Sequence, residues 1–259
     1  MLVLKYGGNA MPAAGQPDPV LAELAQLWKG GMRAVLVHGG GPEIDAELAQ
    51  RGIPTRRLEG LRVTDATTLG VTEAVLCGTL NKRLVRACVA LGVSAVGISG
   101  QDGPVVLAQR ERGPSGADLG YVGRVETVDL RLIETLLNAG FLPVVAPLAV
   151  EPGGLQAYNV NADLAAGAIA AALAADAFVA LTNVPRVLGD ATDPDSAIDR
   201  FTPRDALRFA RGPACGEKMK PKLLAASSAV EHGAKAAYIA GAKPRAIAAA
   251  LEGDATVIA

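Results

Sequence analysis

The chain has 259 residues, is 50% hydrophobic and only 3% aromatic, and carries a net charge of −1, so its core must be built from Val, Leu, Ile and Ala. Such a balance gives no basis for binding nucleic acid or an acidic membrane surface. Two histidines, His38 and His232, are too few for a histidine-based metal site. The cysteines Cys77, Cys88 and Cys215 form no CxxC and read as reduced thiols of a cytoplasmic protein.

In chain order, MLVLK (1–5) predicts a strand and lacks the features of a secretory leader. Asp18 is placed to cap a helix with Pro19 at its first position, ending near Gly30. A second strand is expected over 33–38, followed by a helix over 42–50. Asp65 is placed to cap a long helix running to Leu91. Strands follow over 94–99 and 142–147, a helix over 161–174 and a strand over 178–182. The last elements are a helix over 220–232, a strand over 236–240 and a helix over 244–251. Residues 104–107 and 121–125 predict a β-hairpin at the rim, joined by a polar connection over 110–120. Most strands are continuous apolar runs, which predicts a mostly parallel open sheet covered by helices on both faces, a three-layer αβα sandwich of the α/β class. A boundary near residue 175 divides the chain into an N-terminal lobe, 1–175, and a C-terminal lobe, 176–259.

Two glycine loops stand out, KYGGN (5–9) and HGGGP (38–42), each between a strand and a helix. Glycine lets a ligand approach the backbone, and the first-turn N–H groups of a helix attract anions. Neither P-loop nor dinucleotide motif is present: there is no GxxxxGK[ST], and Ile44 stands where GxGxxG needs its last glycine. Alone, either loop is equally well read as a turn. Asn159, Asn161 and Asp163 crowd a strand-to-helix junction, where capping accounts for Asn161 but not for Asn159. GEKMKPK (216–222) reads by itself as a solvated basic face.

The segments KYGGNAM (5–11), VHGGGPEID (37–45), GLRVTD (60–65), NKRLV (81–85), GISGQDG (97–103), YVGRV (121–125), GFLPVVAP (140–147), NVNADLAAGAIAAAL (159–173), LTNV (181–184) and MKPK (219–222), in this order, resemble the amino acid kinase family. Within it they resemble the branch that phosphorylates N-acetyl-L-glutamate with ATP, in arginine synthesis. The resemblance implies that Lys5 and Lys222 neutralise the transferring phosphoryl group and that Gly8 and Gly41 bind its oxygens through backbone N–H groups. It implies that Asp163 holds both lysines. Gly40, Gly41, Arg62 and Asn159 would bind the acylamino acid, and Asn183, Val184, Pro185, Arg186, Val187 and Leu188, with Ala214, Cys215 and Gly216, the nucleotide. Mg²⁺ would be carried by ATP, with no metal site of the protein's own.

Three positions depart from the family pattern: Asn183 where Asp is usual, and Arg186 and Lys218 where Gly is usual. These resemble kinases that act on α-aminoadipate or glutamate attached to an acidic carrier protein, which stays open as an alternative. The failed dinucleotide fingerprint and the paucity of proton-transfer residues argue against a Rossmann oxidoreductase, and a non-catalytic sensor would be expected to lack Lys5, Lys222 or Asp163, all of which are present. The resemblance further implies a homodimer, with Leu69, Val75, Leu76 and Leu80 of the long helix as its apolar surface. With the first strand starting at Met1, the helix through which arginine inhibits some relatives is expected to be missing.

Overall fold

The computed structural model describes residues 1–13, 15–58, 60–113, 116–190 and 192–259. Strands β1 (Leu2–Tyr6) and β2 (Ala34–His38) flank α1 (Pro19–Lys29), and α2 (Gly41–Gln50) follows β2. A short hairpin, β3 (Arg57–Leu58) and β4 (Leu61–Arg62), leads to α3 (Ala66–Glu73) and α4 (Asn81–Ala90), with π-helical residues Ala74–Leu80 between them. Next come β5 (Ala95–Ser99), β6 (Val106–Arg112), β7 (Asp118–Val128), α5 (Arg131–Asn138), β8 (Leu142–Ala146), β9 (Leu148–Val150), β10 (Ala157–Val160) and α6 (Ala162–Ala172). The remainder holds β11 (Ala177–Thr182), β12 (Val187–Leu188), β13 (Ala197–Ile198), β14 (Arg200–Phe201), α7 (Pro203–Arg211), α8 (Lys220–Glu231), β15 (Ala237–Gly241), α9 (Ala246–Leu251) and β16 (Thr256–Ile258). Among the described residues, no helix is long and apolar enough to cross a membrane.

An eight-stranded sheet runs in the order β14-β16-β15-β11-β1-β2-β8-β5. The pairs from β15 to β5 are all parallel, and only β16 turns against β15. Side chains alternate across the sheet with period two. Leu2, Leu4 and Tyr6 pack into the layer of α1, the α3–α4 helix and α9, whereas Val3 packs into the layer of α5, α6, α7 and α8. Lys5 shares the face of Val3, so its ammonium emerges on the α6 side. The three-layer expectation holds.

Several elements differ from the sequence reading. The hairpin of β6 and β7 is longer than expected, and it closes into a four-stranded barrel with β9 and β10. Val105, Val106, Ala108, Leu119 and Val122 are buried there, so the hairpin is core and not rim. The long helix is interrupted: Asn81 N–H donates to Leu76 O, five residues back. Leu69, Val75, Leu76 and Leu80 are all buried within the monomer's own core, which removes them as an exposed dimer surface. Helices α5 and α7 were not anticipated. Their signal is nonetheless present in the sequence: Leu132, Ile133, Leu136 and Leu137 in α5, and Ala206, Leu207, Phe209 and Ala210 in α7, recur at helical spacing.

Buried polar contacts tie distant segments. Asp18 caps α1 through Val20 N and Leu21 N and accepts from the Tyr6 hydroxyl, fixing the first glycine loop to that helix. Glu23, buried on α1, accepts from Ile247 N and Ala248 N at 3.0 and 2.7 Å, satisfying the first turn of α9.

Helices α6 and α8 touch at backbone level. A Cβ on Gly167 would lie 2.7 Å from the carbonyl oxygen of Ala225. This glycine sits one turn beyond Asp163, and Ala225 lies one turn beyond Lys222, so the contact sets how closely those side chains approach. Overpacking there costs about 1–3 kcal/mol, against the about 1 kcal/mol that alanine returns in helix propensity. Gly167→Ala is therefore expected to lower both the thermal unfolding midpoint and kcat. An unchanged kcat in that variant would show that helix spacing does not govern the approach.

Candidate active site

At the carboxyl ends of β1 and β2 opens a cleft of about 510 Å³, where ligands bind in open α/β sheets. Lys5, next to last in β1, points toward α6. Asn161 caps α6, its Oδ1 accepting from Asp163 N at 2.8 Å and Leu164 N at 3.3 Å. That cap fixes the first turn from which Asp163 projects. Lys222 projects from the first turn of α8.

The three side chains meet at the cleft floor. Lys5 Nζ lies 3.1 Å from Asp163 Oδ1, and Lys222 Nζ donates to Oδ2 at 3.1 Å. Only 7% of Lys5, 7% of Asp163 and 12% of Lys222 side-chain surface is exposed. Lys5 is close enough for an ion pair with Oδ1 but is not aligned as a hydrogen bond, leaving Oδ1 without a hydrogen-bond partner. Burial works against the Asp163 carboxylate, yet the two lysines outweigh it and hold its pKa below the usual value. Burial lowers the pKa of Lys5, Asp163 opposes this and Lys222 adds to it. Two cations on one carboxylate leave a net positive charge on largely buried side chains at the floor of the cleft, which favours an anion.

The glycines facing this floor have distinct tasks. Gly7, at φ 156°, lies against the second loop; a Cβ there would sit 2.4 Å from Gly39 N. Gly40 faces the helix below, where a Cβ would lie 2.6 Å from the Cδ2 atoms of Leu76 and Leu80. Gly8 and Gly41 are different. A Cβ on either would meet no atom within 4 Å, and both line the cleft. Of the glycines read from the sequence, these two leave their side-chain space open to the cleft.

On the other wall, Arg62 is buried and already engaged. Its Nη1 pairs with Asp45 Oδ1 at 2.5 Å and its Nη2 donates to Gly41 O at 3.2 Å. Desolvation would raise the Asp45 pKa, but Arg62 and Arg57 hold it below the usual value. Asn159 Nδ2 donates to Thr64 Oγ1 at 3.1 Å, and Thr64 Oγ1 donates to Arg62 O at 2.7 Å. Asp45 and Thr64 were not read from the sequence.

Lys5, Gly8, Gly40, Gly41, Arg62, Asn159, Asp163, Asn183 and Lys222 all line the cleft, as does Lys218. Val184, Pro185, Arg186, Val187 and Leu188, and Ala214, Cys215 and Gly216, lie outside its lining. Val187 and Leu188 pair with Ile198 and Ala197. Pro185 packs on Gly241. Arg186 pairs with Asp199 and Asp254, pinning its segment to the end of the chain rather than aiming into the cleft.

His38 was passed over as one of too few histidines. It is fully buried at the end of β2. Its Nδ1 lies 3.0 Å from Gly39 O, and its Nε2 lies 3.2 Å from Asn81 Nδ2. Burial pushes its pKa down to about 4. The unfolded chain takes up a proton that the core refuses, so the stability this group confers is present above pH 6.5 and is lost as pH falls toward 4. Over that window the loss amounts to roughly 3 kcal/mol. Urea midpoints at pH 7, 5.5 and 4.5 are expected to fall more steeply for the wild type than for His38→Asn. Parallel profiles would refute a buried neutral imidazole.

The chain resembles known proteins along most of its length. The profile of the amino acid kinase family matches residues 1–241. The acetylglutamate kinase of Symbiobacterium thermophilum is 45% identical over 92% of this chain and 83% of its own. That of Methanopyrus kandleri is 44% identical over the whole of both chains. Among solved structures, a protein of Streptococcus mutans UA159 superposes with a TM-score of 0.82 at 27% identity, over 99% of this chain and 97% of its own. The matched residues span both glycine loops, Asp163 and Lys222, and the chain belongs to the amino acid kinase family.

Proposed function

We propose that this protein transfers the γ-phosphoryl group of ATP to the γ-carboxylate of N-acetyl-L-glutamate, giving N-acetyl-L-glutamyl 5-phosphate in arginine synthesis. The observation that carries this is the Lys5–Asp163–Lys222 cluster beneath Gly8 and Gly41, in a chain that matches acetylglutamate kinases along its whole length. Relatives of that name make phosphorylation of a carrier-bound acceptor the less favoured reading.

A carboxylate acceptor is already ionised at neutral pH, with a reference pKa of about 4.3. It needs no general base. The reaction needs positioning and neutralisation of the charge spread over the phosphoryl oxygens. Lys5 and Lys222 approach those oxygens from the floor, while the N–H groups of Gly8 and Gly41 approach from two sides. Asp163, engaged by both lysines, orients them and is not set out as a metal ligand. Mg²⁺ carried by the nucleotide would supply charge neutralisation at its phosphates, with no metal ligand assigned to the protein. Arg62 and Asn159 receive the acylamino acid, the substrate carboxylate competing with Asp45 for the guanidinium. Residues 183–188 and 214–216 flank the nucleotide, which gives residues 1–175 the acceptor and 176–259 ATP. We propose a cytoplasmic homodimer, supported by the sheet edge that β5 leaves unpaired among the described residues.

Trapping the acyl phosphate with hydroxylamine tests the reaction. With Mg-ATP, N-acetyl-L-glutamate should give strong hydroxamate, and N-acetyl-L-aminoadipate or free glutamate little. Absence of product with N-acetyl-L-glutamate, from protein that binds ATP, would reject the assignment.

Because a Cβ at Gly41 meets no protein atom, Gly41→Val is expected to fold normally. The N–H remains, but the isopropyl group fills the cleft in front of it and denies the oxyanion its donor, so kcat should fall about 100-fold or more. A folded, active variant would exclude Gly41 from the transfer site.

A further inference from the structure

We infer that His38 and Asn81 are positioning residues for phosphoryl transfer: together they turn the Gly39–Gly40 peptide so that its carbonyl faces the core and its N–H faces the cleft.

The tautomer follows from the partners. Gly39 O can only accept, so His38 Nδ1 carries the proton and Nε2 is left as an acceptor. Asn81 supplies the donor. Its Nδ2 lies 2.9 Å from Val144 O and 3.3 Å from Ile98 O, so this end of the amide must be the nitrogen. Its Oδ1 accepts from Lys82 Nζ at 3.2 Å. Asn81 thus spans the ends of β2, β8 and β5, which are neighbours in the sheet.

The fold is shaped around this contact. A Cβ on Gly97 would lie 1.9 Å from Asn81 Oδ1, so only glycine leaves room for the amide. The π-helical turn ends at Asn81, with Leu76 and Leu80 seated under Gly40. One segment therefore supports the second glycine loop at two successive residues, through the imidazole and through two leucines.

The consequence for the cleft is stereochemical. A trans peptide points its C=O and N–H in opposite directions, and no cis peptide occurs here. Anchoring Gly39 O toward the buried imidazole sends Gly40 N–H the other way, beside Gly41 N–H at the start of α2. Among the described residues, neither N–H donates to a protein acceptor. Both are free for an anionic oxygen. Loss of the Nδ1 anchor lets this peptide rotate and withdraw a donor.

Two variants separate the nitrogens. His38→Gln can still meet Asn81 from the Nε2 position but offers no donor to Gly39 O. His38→Asn places an amide N–H near the Nδ1 position. The kinetic arm rests on the reading of the protein as an N-acetyl-L-glutamate kinase and uses hydroxamate formation with Mg-ATP. In His38→Gln, kcat should fall by about 10- to 100-fold with little change in either KM, and in His38→Asn most of the loss should be restored. The second arm needs no substrate: the Gly40 amide resonance of ¹⁵N-glycine-labelled protein should shift in His38→Gln and return toward its wild-type position in His38→Asn. Equal losses in both variants, or an unmoved Gly40 resonance, would overturn the proposal. Wild-type protein that makes no hydroxamate would sink the functional reading alone, and the resonance would still decide the positioning role. If His38→Gln does not fold, Asn81→Ser takes its place and must move the same resonance and kcat.

Discussion

The site depends on one carboxylate held between two buried ammonium groups. Without Asp163, Lys5 and Lys222 would be two like charges facing each other with little of either side chain exposed. With it they form an ordered pair of cations that retains one uncompensated positive charge. Buried ion pairs are weak sources of stability, because desolvation offsets most of the attraction. Their value here is geometric. The fold spends three helix and strand ends, a capping asparagine and a glycine contact between α6 and α8 on bringing these groups together.

The second constraint is backbone exposure. Phosphoryl oxygens are bound by N–H groups only where no side chain intervenes, yet a bare loop is floppy. The structure resolves this by giving neighbouring glycines opposite duties. Gly7 and Gly40 are glycines because protein atoms occupy the Cβ position; Gly8 and Gly41 leave that space open to the cleft. The rigid pair is braced by Tyr6 on one side and by His38, Leu76 and Leu80 on the other. A π-helical turn under the second loop fits this picture, since such turns re-aim side chains without ending a helix.

The C-terminal part of the chain shows how a sequence departure can be absorbed. Arg186, at a position where the family usually has glycine, is held by Asp199 and Asp254, and Lys243 shares the second of these. Its charge is spent on joining the β12 segment to the last strand. Lys218 instead lines the cleft mouth, close to where Glu217 O lies beneath Gly60 of the β3–β4 turn.

Local physics made much of this legible in advance. Asp18, Asp65 and Asn161 announce helix starts because capping is an interaction within four residues. Continuous apolar runs announce a parallel sheet, because strands buried on both faces have no polar side to show. The order strand–glycines–helix, with Lys5 near the end of the first strand, predicts an anion site because bare first-turn N–H groups attract negative charge. Apolar content alone did not say which face of the α3–α4 helix is covered, and its leucines proved to be core. Nor could sequence separate a packing glycine from a ligand-facing one, since both are only the absence of a side chain. His38 and Asn81 gave no signal, because they meet each other across 43 positions and the carbonyl partners of Asn81 lie on β5 and β8. What the sequence by itself determined is where helices and strands begin and which residues are able to bind a phosphoryl group. Only the tertiary structure decided which of them meet, because the approach of Lys5, Asp163 and Lys222 is set by sheet order and helix packing between segments far apart in the chain.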